Sequence, residues 1–585
     1  MIVLNGYDIL AQVYESVNSE VYRAIRIADN QPVMLKILKQ EYPTTQELTH
    51  YKQEYKTICG LNFQGAIKAY GLETYRRTPV IILEDFGGIS LKKWLGGKPL
   101  ALRDFLSLAP RIVANLEKIH NAKVIHKDIN PANIVLNPET GQIKIIDFGI
   151  ATVLQRENPG LKNPNVLEGT LAYISPEQTG RMNRSLDYRT DFYSLGVSFY
   201  ELLTGQLPFR ANDALELVHC HLAKQPLEIN SLVREKIPPV VEAIIRKLMA
   251  KTPEERYQSA YGIRADLEEC FRQLETTGKI EDFVIARQDL ANQFQIPQKL
   301  YGRETEIATL LTAFQRVGTV DKNSSHTELM LVTGYSGMGK TTLVREIYQP
   351  ITEKRGFFIS GKFDQFQRDI PYAAVVSALT HLVKQLLGES QPQLQLWRQK
   401  LLKSLGANAR VIIDVIPQLE LIIGPQPEVL QLGAIATQNR FNLVFKNFIR
   451  VFCSPEHPLV IFLDDLQWAD LASLQLIELI MLDGDMDYLF LIGSYRSNEI
   501  NSTHPLTTTL DKLEQGGIII NQVILKPLGS EQVNQLIAET LNHSPEYVQS
   551  LAALVWQKTH GNPFFVNEFL KTIYWENLLF FQPGQ

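Results

Sequence analysis

Residues 1–275 alternate short apolar runs with stretches of helical periodicity, and the same alternation restarts at Tyr301. In the first stretch the run PVMLKIL at 32–38 predicts a strand with one lysine, Lys36, inside it. A second run starts at Val124 and passes into the polar loop HKDINPAN, and a third, IKII, ends in Asp147-Phe148-Gly149. After Tyr301 the runs LMLVT at 329–333, LVIFL at 459–463 and LFLIGSY at 489–495 read as buried strands. Residues 276–298 lack dense apolar periodicity and read as a linker. The pattern therefore predicts a multidomain chain divided into 1–275, a linker at 276–298, and 299–585.

Composition narrows the class without naming a function. The 585 residues suggest about three or four domains from length alone. With 45% apolar and 21% charged residues the chain is ordinary for globular protein, which excludes collagen-like and largely disordered classes. Lys plus Arg number 58 against 63 Asp plus Glu, so the net charge of −5 gives no general pull toward nucleic acid or anionic membrane. Four scattered cysteines without a C-x-x-C pair, no run of roughly 20 apolar residues and no signal-peptide pattern predict a cytoplasmic protein. The cluster His219-Cys220-His221 lacks a second ligand pair and reads as structural. Apolar residues near the final segment, 580–585, predict neighbours beyond the end of this sequence.

A lysine inside an apolar strand either lies at a solvent-exposed edge or needs a partner, because its charge is costly to bury alone. The remaining motifs favour a partner. His126-Lys127-Asp128 followed by Asn133 has the spacing of H-R-D-x-x-x-x-N. Asp147-Phe148-Gly149, Ser175-Pro176-Glu177 and Asp191-Phe192-Tyr193-Ser194-Leu195-Gly196 follow in order. This set resembles a eukaryotic-like Ser/Thr protein kinase over about residues 7–272. The resemblance implies a bilobal α+β fold that uses ATP and Mg²⁺. It makes Lys36 the phosphate-binding lysine and Glu54 its ion-pair partner, with Glu47 the alternative because helix register is open. It makes Asp128 the acceptor of the substrate hydroxyl proton, and Asn133 and Asp147 the metal ligands. Glu84, Asp85 and Phe86 resemble the adenine-contacting hinge, and Glu177 resembles a structural partner of Arg256.

Three departures bear on activity. Tyr14, Ser16 and Ser19 stand where a phosphate-covering loop carries glycines, whose backbone approaches phosphates closely. Asn130 stands where the family has a lysine that contacts the transferring phosphate. Lys127 replaces the arginine of H-R-D, keeping charge but not the planar fork. An ATP-binding pseudokinase scaffold is therefore the alternative to an active kinase.

The second stretch carries Gly334-Tyr335-Ser336-Gly337-Met338-Gly339-Lys340-Thr341-Thr342 between a strand and a helix-like run. This is the G-x-x-x-x-G-K-T phosphate loop in its required setting. Lys340 would reach the β and γ phosphates and Thr341 would hold Mg²⁺. Asp464, ending an apolar strand, would bind Mg²⁺ through water, and Asp465 could orient attacking water. With Leu466-Gln467-Trp468-Ala469-Asp470 the segment resembles the STAND branch of AAA-like P-loop ATPases. The resemblance implies an α/β P-loop NTPase with a helical C-terminal extension. It also implies an adenine-side motif at Tyr301-Gly302-Arg303-Glu304, a γ-phosphate sensor at Arg496 and an adenine-packing Pro563. The two halves together resemble large multidomain signalling kinases of cyanobacteria and related bacteria. Protein substrates bearing Ser or Thr, and self-association through the ATPase domain, are the implied partners.

Overall fold

In a computed structural model the chain is described except at residues 1–3, 16–18, 40–44, 77, 154–168, 183, 185, 212, 290–293, 295, 319–326, 355, 366–369, 388, 390, 431–432, 577 and 580–585. The described residues form two compact units. One takes those of 1–179, 185–212 and 224–292, the other those of 180–184, 213–223 and 293–585. Length alone suggested more domains, but each unit here is large. Among the described residues, no helix is long and apolar enough to cross a membrane.

The first unit begins with an antiparallel sheet of β1 (Tyr7–Glu15), β2 (Ser19–Arg26), β3 (Gln31–Leu38), β4 (Ala69–Tyr75) and β5 (Thr78–Glu84), in the order β1-β2-β3-β5-β4. Alternation along β3 sends Val33, Leu35 and Ile37 into the core with Ala24, Val80 and Ile82. Lys36 therefore lies on the other face. Helix α1 (Thr45–Gly60) buries Tyr51, Glu54 and Ile58, one helical stripe. The Tyr51 hydroxyl donates to the Lys36 carbonyl, which fixes the rotation of α1 relative to β3.

The rest of this unit is mainly helical: α2 (Leu102–Asn121), α3 (Arg189–Thr204), α4 (Pro239–Leu248) and α5 (Ala260–Thr277). Every residue of α3 except Glu201 is buried, so this helix runs through the middle of the lobe. Short strands frame the polar loop. β6 (Ile89–Ser90) pairs with β8 (Ile134–Leu136), which pairs with β9 (Ile143–Ile145), while β7 (Val124–Ile125) pairs with β10 (Thr152–Val153). Arg256 forms a bidentate pair with Glu177 at 2.6 and 2.8 Å, and the side chains are 0% and 1% exposed.

The 276–298 segment is anchored by polar contacts, which is why apolar periodicity could not register it. Helix α5 ends at Gly278 in the left-handed conformation. Downstream, Asp289 accepts hydrogen bonds from the Gln258 and Ser259 amides and the Ser259 hydroxyl at 2.7–2.8 Å. Asp266 accepts one from the Ala286 amide at 2.7 Å. Phe294 and Ile296 pack instead into the second unit, where Phe294 stacks on Tyr574.

The second unit holds a five-stranded parallel sheet of β11 (Thr327–Thr333), β12 (Phe357–Lys362), β13 (Leu459–Asp464), β14 (Leu489–Tyr495) and β15 (Ile519–Ile524), ordered β12-β13-β14-β11-β15. Its apolar runs are continuous because both faces are covered. Leu329, Leu331, Ile461 and Leu491 enter one core; Met330, Val332, Phe462 and Ile492 enter the other. The helices include α6 (Glu304–Val317), α7 (Lys340–Arg345), α8 (Ala373–Leu386), α9 (Gln391–Leu405), α10 (Ala434–Arg450), α11 (Leu471–Met481) and α12 (Pro505–Gln515). A separate core joins α13 (Ser530–Leu541), α14 (Gln549–Thr559) and α15 (Pro563–Trp575) through Val533, Ile537, Val555, Val566 and Leu570. The chain is thus a bilobal α+β unit followed by a parallel α/β unit with a helical C-terminal layer.

Replacing Glu177 by Ala leaves the Arg256 guanidinium buried without its counter-charge. Glu177→Ala should lower unfolding free energy by about 3–5 kcal/mol in a denaturant titration of the first unit's transition. A loss under about 1 kcal/mol would show that the lobe does not rest on this pair.

Candidate functional site

In the first unit, three charged side chains meet where β3, α1 and the end of β9 converge. The Lys36 amine donates to Glu54 Oε1 at 2.6 Å and to Asp147 Oδ1 at 2.8 Å. Of the two candidate glutamates on α1, it is Glu54 that reaches Lys36. Burial works against the Lys36 charge, but the two carboxylates outweigh it and raise its pKa. Burial likewise opposes the charge of Asp147, and Lys36 prevails, holding that carboxyl below its usual range. Burial pushes Glu54 up. The Asp147 side chain remains 40% exposed, so its carboxylate stays accessible while pinned at one oxygen.

The polar loop is set by one buried carboxylate. Asp191 on α3 accepts from the His126 amide at 2.9 Å, the Lys127 amide at 2.7 Å and His120 Nε2 at 2.8 Å. It thereby orders the turn leading to Asp128. Asn133 Nδ2 donates to Asp128 Oδ2 and to the Asp128 carbonyl, both at 2.9 Å. That commits the amide nitrogen and leaves the oxygen as the acceptor a metal requires. The Ile146 amide donates to the Asn133 carbonyl at 2.9 Å, which ties this loop to the residue preceding Asp147. Asn133 and Asp147 thus supply hard oxygens from two linked segments, a donor set that suits Mg²⁺.

Asn130 has a clear local task. Its Nδ2 donates to the Asp128 carbonyl at 3.1 Å and its Oδ1 accepts from the Ala132 amide at 2.9 Å, so it closes the loop's own turn. Asp128 Oδ1 accepts from the Thr170 amide at 2.9 Å, a contact the motif reading did not anticipate. Of the three positions without glycine, Tyr14 lies in β1 and is exposed, and Ser19 opens β2 and is buried. Ser16 lies outside the described residues.

The hinge segment shows a pairing that no motif signalled. Lys144 in β9 is 1% exposed, and its amine donates to Glu84 Oε2 at 2.6 Å. The same amine lies 5.2 Å from the centre of the Phe86 ring, while Asn137 Nδ2 donates to the Phe86 carbonyl at 2.6 Å. Glu84 is therefore engaged by its side chain, and Phe86 is fixed from two sides.

In the second unit the loop after β11 curls through Gly334, Gly337 and Gly339, all at positive φ. Lys340 is 8% exposed and donates to the carbonyls of Gly334 and Tyr335 at 2.9 and 3.0 Å. Burial pulls its pKa below the ordinary lysine value. A buried ammonium hydrogen-bonded to neutral carbonyls is a site suited to an anion, and the residues fit a phosphate chain. Thr341 Oγ1 donates to Asp464 Oδ2 at 3.1 Å, so hydroxyl and carboxylate converge as Mg²⁺ would need. Thr342 follows on α7.

Strand β14 lies between β11 and β13 and supplies the groups around the acid pair. The Ser494 hydroxyl donates to Asp464 Oδ1. Asp465, at φ 58°, is 5% exposed, and its Oδ1 accepts from Gln467 Nε2 at 2.8 Å. Arg496 Nε lies 3.6 Å from Asp465 Oδ1 and Lys362 Nζ 3.4 Å from Oδ2. Arg496 also pairs with Glu499 at 2.8 Å and stacks over Trp468. Pro563 is the first residue of α15, and the next residue, Phe564, donates its amide to the Gly337 carbonyl at 3.2 Å.

Comparisons with known proteins find a family match in each unit. The protein kinase domain family matches residues 7–266, and the AAA ATPase domain family matches residues 299–492. The chain is 32% identical to hybrid signal transduction histidine kinase G of Dictyostelium discoideum over an alignment of 630 residues, covering 82% of this chain and 18% of that protein. It is 30% identical to serine/threonine-protein kinase PrkC of Bacillus subtilis over 267 residues, 45% of this chain and 40% of that one. It is 28% identical to serine/threonine-protein kinase PknL of Mycobacterium tuberculosis over 270 residues, 46% of this chain and 66% of that one. The chain thus spans less than a fifth of the first relative and no more than about two thirds of the others. The motifs, the fold of each unit and these relatives converge on one description: the chain carries a protein kinase domain of the eukaryotic-like Ser/Thr type, fused to an AAA ATPase domain.

Proposed function

We propose that the first unit transfers the γ-phosphoryl group of ATP to Ser or Thr hydroxyls of protein substrates, and that the second is a slow ATP-hydrolysing switch of the STAND type. The observation that carries the kinase reading is the joint placement of Lys36, Glu54 and Asp147 with Asp128 and Asn133 on a loop fixed by Asp191. Phosphoryl transfer is mostly positioning plus charge stabilisation, and these residues meet that need. Lys36 holds the ATP phosphates while Glu54 holds Lys36. Asp128 takes the proton as the substrate oxygen bonds to the γ-phosphorus and the bond to the β-phosphate oxygen breaks, releasing ADP. Mg²⁺ held by Asn133 and Asp147 would neutralise charge on the phosphates. Lys144 and Asn137 keep the hinge in place for adenine.

The departures favour a second reading, in which the first unit binds ATP as a regulatory scaffold. Asn130 closes a turn and brings no positive charge to the reacting phosphate. In the second unit, Asp465 would orient the attacking water, with Arg496 as sensor. Its carboxylate is engaged by Gln467 and flanked by Arg496 and Lys362, which supports slow turnover. ATP-dependent self-association through this unit is the output we assign to it. Four widely spaced cysteines in the sequence suit a reducing, cytoplasmic setting. The hybrid signal transduction histidine kinase among the relatives supports a place in signal transduction.

With labelled ATP, wild type should phosphorylate itself or a generic Ser/Thr acceptor, and Asp128→Asn should lose at least about 100-fold in rate, the scale of a positioned base. Equal labelling would overturn the assignment of Asp128, and absence of labelling in both would favour the scaffold. In a phosphate-release assay, Lys340→Ala should remove most ATP hydrolysis and leave Asp128-dependent labelling nearly unchanged. Loss of both activities would show that the sites are not separable.

A further inference from the structure

The phosphate loop of the second unit is held from outside by the helical C-terminal layer. Asn562 Nδ2 donates to the Ser336 carbonyl at 3.0 Å. Asn562 Oδ1 accepts from the Phe564 amide at 3.1 Å and so caps α15. That amide also lies 3.2 Å from the Gly337 carbonyl. Pro563, as first residue of α15, has no N–H, so Phe564 offers the first helix amide. The approach is close. A Cβ on Gly337, at φ +80°, would stand 2.7 Å from Asn562 Oδ1 and 2.9 Å from Phe564 Cβ. This glycine makes room for the helix as well as for a ligand.

The other end of the contact is equally fixed. The Leu528 amide donates to the Gly561 carbonyl at 2.8 Å, and a Cβ on Gly561 would stand 2.0 Å from the Leu528 carbonyl oxygen. Val566 and Leu570 bury α15 in the core it shares with α13 and α14. The loop carbonyls of Ser336 and Gly337 are thus drawn toward the helical layer, which leaves the loop's N–H groups for phosphate oxygens.

We propose that Asn562 is a positioning residue for the nucleotide: it braces the phosphate loop and couples nucleotide binding to the docking of α15. This rests on the reading of 334–342 as a phosphate-binding loop. The brace costs nothing at the moment of binding because it is already made. By linkage, whatever nucleotide gains from the docked helix, the docked helix gains from nucleotide.

The test uses the full chain and ADP, followed by amide hydrogen exchange in the segments 334–342 and 563–575. Asn562→Asp keeps the cap oxygen and loses the donor to Ser336. Asn562→Ser keeps a capping hydroxyl too short to reach Ser336, and serves if the first variant folds poorly. In wild type, ADP should slow exchange in both segments. In either variant the ADP concentration for half-protection of 334–342 should rise about threefold to tenfold, the range of one hydrogen bond. Protection of 563–575 by ADP should fall in parallel. Wild-type ADP response in both segments of the variants would overturn the proposal. Lys340→Ala separates the two levels: if it retains the wild-type response, the phosphate-loop reading itself fails, whereas its loss alongside an unchanged Asn562→Asp condemns only the brace.

Discussion

A lysine ammonium taken out of water must be met by negative charge or by strong acceptors, and each unit of this chain arranges its chemistry around one such lysine. In the first unit Lys36 is met by two carboxylates, Glu54 and Asp147, from separate segments. The β3 strand, the α1 helix and the stretch after β9 must all be in register for that to occur. The Tyr51 bond to the Lys36 carbonyl and the Asn133 bond to the Ile146 amide set those registers. In the second unit the Lys340 amine donates to loop carbonyls, with the Asp464 and Asp465 carboxylates near enough to act on its charge. The first lysine is ion-paired by its own protein partners, and the second is held by neutral carbonyls with acidic side chains beyond them.

The same contrast separates Asp128, proposed to accept a proton, from Asp465, proposed to orient water. Asp128 receives Asn133 and Thr170, both neutral donors that orient it and keep its carboxylate available. Asp465 lies beside two cations and under Gln467. Amides thus orient the first carboxylate, and cations flank the second.

Much of this was legible in the sequence because phosphate chemistry uses few residue types at fixed spacings. Asp128, Asn133, Asp147, Gly339, Lys340 and Asp464 announce themselves within short motifs, and the strands carrying them are apolar runs. Glu54 could be preferred to Glu47 but not fixed, since seven residues are about two turns, which puts both on one face and leaves the height along α1 to decide which reaches Lys36. The pairings of Lys144 with Glu84 and of Asn562 with Ser336 were invisible because the partners are far apart in sequence, although Glu84 and Ser336 stand in motifs. Asp191 was seen as part of a motif, but its hold on the His126 and Lys127 amides needed the fold. Asn130 read as a missing charge, and the structure shows the turn it closes instead. The 276–298 segment lacked apolar periodicity because aspartate–amide bonds anchor it.

The central claim is that one chain holds two separate nucleotide sites, each centred on its own lysine. Equilibrium dialysis of the full chain against labelled ATP with Mg²⁺, at a concentration well above both dissociation constants and at low temperature to limit turnover, measures this directly. Two nucleotides should bind per wild-type chain, one per chain in Lys36→Ala and one in Lys340→Ala, with none in the double variant. A wild-type stoichiometry of one, or loss of both nucleotides through either single substitution, would contradict the account.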